Sequence, residues 1–333
     1  MKILIKDLKI LFFYFLLATG VLYSSVKFHV PWYGSNDFAV YYEMVENPFN
    51  NNAGAPYGYR IFTPTIAHFV EQSGIFYKPN NTSFNDFMTT YEGNTFDSKT
   101  LYALIFTNYV LIVFSMFFLN KTLHILRPNL TRNQVNTFLP IGLILSTSTL
   151  AHGLNGLTEG GSLFIISLCC YLIYRNQLSL FIVAIIFGMF QRELIPLIFF
   201  IFCFFQKKTK YLIVSLLVFS LYFFIRYLFP LPGFEEQLEL SAFIKNLSNF
   251  QLSKDFIFQV ILSNNIILAS LIWLSFGKIG KVINLNTISF MAIFSILLII
   301  SIGTGIGNNA GRILNMTTPF LLLFLPNFID SVE

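Results

Sequence analysis

Apolar residues run through this chain in long blocks separated by short polar breaks. The blocks fall at 8–26, 100–120, 134–150, 160–174, 211–229, 256–276, 287–302 and 313–329. About 20 apolar residues in a helix cross the hydrocarbon core of a bilayer, so the pattern predicts eight membrane crossings. One further block, 178–206, is interrupted. From Ala184 to Phe202 it reads AIIFGMFQRELIPLIFFIF, with Gln191, Arg192 and Glu193 between two apolar arms and Pro196 just beyond. Each arm of about 13 residues reaches roughly 20 Å at 1.5 Å per residue, too short for a comfortable crossing. The long polar tracts are 27–99 and 230–255.

Charge orients these blocks. With the N-terminus in the cytosol, the short inner loops hold twelve of the 21 basic residues, among them Lys2, Lys6, Lys9, Arg175, Lys207, Lys208 and Lys210. The longer outer segments hold eight basic residues, and 12 of the 16 acidic ones, from Asp37 to Asp255. Short loops rich in Lys and Arg face the cytosol, so one orientation satisfies every loop. Both ends of 178–206 then face the cytosol, which predicts a re-entrant pair of half-helices with Gln191, Arg192 and Glu193 at the tip. Pro196 falls in the first turn of the second arm, where its missing N–H is harmless. The alternative is a single tilted helix with Arg192 and Glu193 buried among neighbours, although adjacent helical residues do not face one another.

Composition agrees with a lipid environment. Hydrophobic residues make up 55% of the chain and charged residues 11%, about half the charge of a soluble domain. The mean hydropathy is +0.67. The expected fold is all-α: one polytopic transmembrane domain over 1–333, with about eight spans and the re-entrant pair. Cys169, Cys170 and Cys203 lie in apolar runs and suggest neither disulfides nor a metal site, and the four histidines have no ligand spacing. The run after Lys2, Lys6 and Lys9 lacks a clean cleavage site and reads as a retained span.

Several charged residues collect at the level of the outer leaflet under this topology. Asp37 stands near the N-terminus of a short helix expected over 38–46, where capping is the ordinary explanation. Arg60 lies in PYGYRIFTP, Glu159 opens the span that begins at Gly160, Arg226 ends the span 211–229, and Arg312 begins the last span. Helix-dipole compensation accounts for Glu159 alone, and snorkelling to the headgroups for Arg226 alone. As a set with Arg192 and Glu193 they suggest a cavity, because ionisable groups at membrane depth are costly and usually functional. Arginines suit a phosphate, and a carboxylate can act as general base on a hydroxyl.

At these residues the chain resembles the GT-C class of membrane glycosyltransferases. The likeness rests on a first span followed at once by a long outer loop bearing Asp37, on PYGYRIFTP, and on half-helices carrying Gln191, Arg192 and Glu193. It implies sugar transfer from a polyprenyl-phosphate or polyprenyl-diphosphate donor to a glycan, lipid or protein acceptor outside the cytosolic membrane. By that resemblance Asp37 is the base, with Glu43 a weaker second. Arg60, Arg192 and Arg312 hold the lipid-linked phosphate, with Tyr59, Glu159, Glu193 and Arg226 in the same site. No metal, other cofactor or nucleic-acid partner is expected. The site is expected in a bacterial cytoplasmic membrane with both termini in the cytosol. An outer-face polysaccharide polymerase would use the same arginines, and a flippase for lipid-linked saccharides is a rival of another class.

Overall fold

A computed structural model describes residues 2–28, 36–48, 57–75, 90–91, 94–95, 98–126, 128, 140–144, 158–231, 240–254, 256–257, 260, 285–304 and 310–330. Most of the expected spans 134–150 and 256–276 lie outside the described residues, as do parts of the outer segments 27–99 and 230–255. What is described is helical, apart from one minimal antiparallel ladder of β1 (Thr90–Tyr91) and β2 (Asn94–Thr95).

The helices in chain order are α1 (Lys2–Phe28), α2 (Asn36–Glu46), α3 (Phe62–Gln72), α4 (Ser98–Leu126), α5 (Ile141–Ile144), α6 (Glu159–Tyr174) and α7 (Leu178–Gln191). They continue with α8 (Leu194–Phe205), α9 (Thr209–Leu228), α10 (Leu240–Ser248), α11 (Leu285–Gly303), α12 (Ala310–Leu314) and α13 (Thr318–Asp330). Two segments, Tyr102–Leu126 in α4 and Thr209–Leu228, are long and apolar enough to cross a membrane. Five shorter apolar stretches lie in α6, α7, α8, α11 and α12–α13.

Side-chain bonds fix how the helices run. Ser115 in α4 bonds Ser167 in α6 at 2.6 Å, and Asn108 Oδ1 accepts from the Gly160 N–H at 3.0 Å. Both links span 52 residues, so α4 and α6 run parallel. By contrast, α1 is antiparallel to α4. Lys121 pairs with Asp7, while Tyr109 reaches the Phe15 carbonyl at 2.9 Å.

The split apolar block folds back on itself. Arg192 is extended, with φ −162° and ψ 126°, and breaks the helix between α7 and α8. Phe181 and Phe199 then meet edge to face with centroids 5.8 Å apart. In one continuous helix these two residues would stand about 27 Å apart. Pro196 occupies the first turn of α8, as expected. A single tilted helix is therefore not what this block forms.

The turns at the far end of the pair are alike. Gln177 N–H bonds the Leu172 carbonyl and Asn176 N–H the Ile173 carbonyl; Lys208 and Lys207 repeat this on Cys203 and Phe204. Asn176 and Lys207 both adopt φ 55°. Each is a Schellman ending with a left-handed residue just past the helix. The two turns place Arg175, Lys207 and Lys208 together with Lys121 at one end of the bundle. The break at Arg192 lies at the other.

The core is apolar and aromatic. Phe202 packs against Phe320 at 5.1 Å and stacks on Phe324 at 6.3 Å, tying α8 to α13. Cys169, Cys170 and Cys203 are free thiols buried within it.

Candidate functional site

The end of the bundle opposite these basic turns carries a cluster of buried charge. It forms where α3, α6 and α8 begin, where α7 and α9 end, and where α12 lies. Arg60, Arg192, Arg226 and Arg312 are each 9% exposed or less, and Glu159 is 2% exposed. Buried ions demand partners, and each carboxylate here is committed.

The neighbours Arg192 and Glu193 do not pair with each other. Glu193 binds Arg60 across the chain, accepting from Nη2 at 2.7 Å and from Nε at 3.1 Å. Arg192 turns instead toward Glu159, with Nη2 3.6 Å from Oε1, and donates through Nη1 to the Arg312 carbonyl at 3.4 Å. Arg312 Nε also donates to the same Glu159 oxygen, at 2.7 Å. One carboxylate thus serves two guanidiniums.

Gln191 fastens the tip. Its amide donates to the Thr158 carbonyl at 2.6 Å and to Ser162 Oγ at 3.3 Å, and its oxygen accepts from Thr63 at 2.7 Å. This close approach needs glycine at 161, because a Cβ there would overlap Thr63 Oγ1 and the Gln191 amide. Gly160 is likewise pressed against Asn108, whose backbone oxygen would lie 2.8 Å from an added Cβ.

Aromatic side chains hold the fourth arginine. The Arg226 guanidinium lies 4.9 Å from the Tyr59 ring centroid and 5.2 Å from that of Tyr222, within cation–π range of both. The Tyr59 hydroxyl donates to the Phe229 carbonyl at 2.7 Å and accepts from the Leu231 N–H at 3.1 Å. The end of α9 is therefore pinned to the turn before α3.

Electrostatics follows from this wiring. Burial would raise the Glu193 carboxyl, but the charge and hydrogen bonds of Arg60 overcome it and hold it at about 2. Burial and the like charges of Arg60 and Arg312 push the Arg192 guanidinium below its ordinary value, against the pull of Glu159. Four guanidiniums stand against two carboxylates in the described cluster. The arrangement is suited to an anion with several oxygens, since arginine presents a planar fork of donors.

No protein-family model, curated protein or solved structure matches this chain. The functional reading therefore rests on the site itself.

Tyr59, Arg60, Glu159, Arg192, Glu193, Arg226 and Arg312 all fall in the cluster. Glu43 does not: it is exposed on α2, beside the buried Tyr42 and Met44. Asp37 falls in the first turn of α2, which begins two residues earlier than expected, and its side chain lies outside the described residues. One turn later on the same helix, Tyr41 is fully buried and its hydroxyl lies 3.4 Å from Arg60 Nη1. Residues four apart share a helix face, so Asp37 and Tyr41 occupy the same side of α2.

Four site residues escape a reading of the sequence. Tyr41 reads as an interfacial aromatic, Tyr222 as part of an apolar span, and Thr63 and Thr158 as ordinary polar flanks. The spacing of Asp37 and Tyr41 was the available signal for the first. The others depend on contacts between distant segments.

Proposed function

We propose that the protein is a GT-C-like membrane glycosyltransferase. It moves a sugar from a polyprenyl-phosphate or polyprenyl-diphosphate donor to an acceptor on the outer face of a bacterial cytoplasmic membrane. The observation that carries this reading is the cluster of four buried arginines around two carboxylates, close to the helix that bears Asp37.

The roles follow from position. Glu159 is shared by Arg192 and Arg312, which leaves that pair the more electropositive half and suits it to the donor phosphate. Arg60 is engaged in two bonds to Glu193, so it anchors the tip and adds its field. Asp37 takes the proton from an acceptor hydroxyl. The oxygen attacks the anomeric carbon, the bond from that carbon to the phosphate oxygen breaks, and the lipid phosphate departs with the electron pair. Preorganised guanidiniums stabilise the charge that grows on it.

Membrane placement is part of the proposal. The parallel run of α4 and α6 requires the chain between them to return, which agrees with a crossing at 134–150. The basic turns, with Arg175, Lys207 and Lys208, belong in the cytosol, and the arginine cluster then faces the outer leaflet. In that frame α7 and α8, roughly 21 and 18 Å long, form the re-entrant pair. Eight crossings and cytosolic termini complete the layout.

Proteoliposomes supplied with polyprenyl-phosphate-linked sugars test the reaction. Release of free polyprenyl phosphate with transfer to an acceptor supports a transferase, and a ladder of repeats identifies a polymerase. Movement of the intact lipid-linked sugar across the bilayer without chemical change contradicts both.

A further inference from the structure

Tyr222 holds a feature of this cluster that the wiring above does not use. Its side chain is buried, with the residue 3% exposed, yet its hydroxyl has no hydrogen-bond partner among the described residues. Buried hydroxyls are normally satisfied, and leaving one without a partner is destabilising. The neighbouring tyrosine shows the contrast. Tyr59 spends its hydroxyl on two backbone groups, whereas Tyr222 only packs, edge-on to the Tyr59 ring with centroids 6.1 Å apart.

The surroundings indicate what that hydroxyl awaits. The Arg226 guanidinium lies beside the same ring. Among the described residues, Glu193, Arg60 and Tyr59 are the other ionisable groups close enough to act on Tyr222. The carboxylate among them is that of Glu193, which Arg60 engages in two bonds. The hydroxyl therefore belongs to a ring that already carries a guanidinium on it, and a tyrosine O–H near positive charge suits a phosphoryl oxygen, an acceptor with negative charge.

We propose that the Tyr222 hydroxyl is a ligand-binding group that donates a hydrogen bond to a phosphate oxygen of the bound donor, beside Arg226. This rests on the reading of the site as one for a lipid-linked phosphate. It extends that site from Arg192 and Arg312 to α9, a helix long and apolar enough to cross a membrane.

Tyr222→Phe isolates the claim, since it keeps the ring against Tyr59 and Arg226 and removes the hydroxyl alone. Thermal unfolding of purified protein in detergent is followed with farnesyl phosphate, inorganic phosphate or farnesol. The expected results are wild-type stabilisation by farnesyl phosphate, a weaker response to inorganic phosphate, and none to farnesol. Tyr222→Phe should bind both phosphates about tenfold more weakly, while its ligand-free Tm stays equal to or above that of the wild type. Equal affinity for farnesyl phosphate in the two proteins overturns the role of the hydroxyl and leaves the parent reading intact. A lower ligand-free Tm in Tyr222→Phe also overturns it, because the hydroxyl then has a structural partner. A wild type that responds to neither phosphate sinks this proposal together with the parent reading.

Discussion

Arg60 grips Glu193 through two hydrogen bonds, at 2.7 and 3.1 Å, across 133 residues of sequence. The bond ties the outer segment before α3 to the point where an apolar block breaks and turns back. Glu193 bonds Arg60 and its neighbour Arg192 turns to Glu159, because the extended backbone at 192 sends the two side chains to different partners. The tip is thus held from one side by Arg60 and from the other by Glu159.

Removing one member of this pair should destabilise the fold more than removing both. A buried charge left alone costs about 3–5 kcal/mol, whereas apolar replacement of a buried pair is often neutral. Arg60→Met and Glu193→Leu should each lower the unfolding midpoint in detergent clearly, and the double variant should recover much of the loss. Additive losses would count against a coupled pair.

The same pair sets an acid dependence. Glu193 is held at about 2 in the folded protein, below the usual value of roughly 4.3 for an unfolded glutamate. Its contribution is therefore complete above the unfolded value and is lost as pH falls toward the folded one. The stability difference between wild type and Glu193→Gln should stay flat from about pH 8 to 5 and shrink below about pH 4. A difference that already declines between pH 7 and 5 would show that Arg60 does not hold the carboxylate as described.

The glycine at 161 is a packing requirement. Gly161→Ala drives a methyl into Thr63 and Gln191, and overpacking of this kind costs typically 1–3 kcal/mol. Gly20→Ala meets nothing within 4 Å and should be neutral or slightly stabilising. Comparison of the two variants by thermal unfolding checks the close approach of α3 and α7 to α6.

Asp37→Asn should reduce transfer by a factor of about 10²–10⁴, the usual contribution of a general base, without lowering Tm. Glu43→Gln, at an exposed position, should retain near wild-type transfer. Assay of both variants separates catalysis at α2 from a merely structural acidic helix.

Much of this was legible in the sequence, for identifiable reasons. The break at Arg192 announced itself because two apolar arms were each too short to cross and had basic flanks, Arg175 on one side and Lys207, Lys208 and Lys210 on the other. The collection of Arg60, Glu159, Arg192, Glu193, Arg226 and Arg312 followed from putting all of them at one membrane level. Their pairing did not. Whether Glu193 meets Arg60 or Arg312 depends on which helix ends lie side by side, and periodicity along the chain carries no information about that. Tyr222 was hidden for a related reason: within an apolar span, a buried tyrosine with an unused hydroxyl looks the same as a phenylalanine that packs. Glu43 was drawn in by proximity to Asp37 in sequence, but six positions along a helix turn it toward a different side.

The account depends most on residues 178–205 leaving one side of the membrane and returning to it, with Arg192 and Glu193 at the summit. Gln177 and Thr209 are exposed at the two ends of that excursion, while the native thiols are buried. Single cysteines placed at these two positions can be labelled in intact cells and in inverted vesicles with a membrane-impermeant thiol reagent. The account predicts that both are modified only from the cytosolic side; labelling of the two from opposite sides would contradict it.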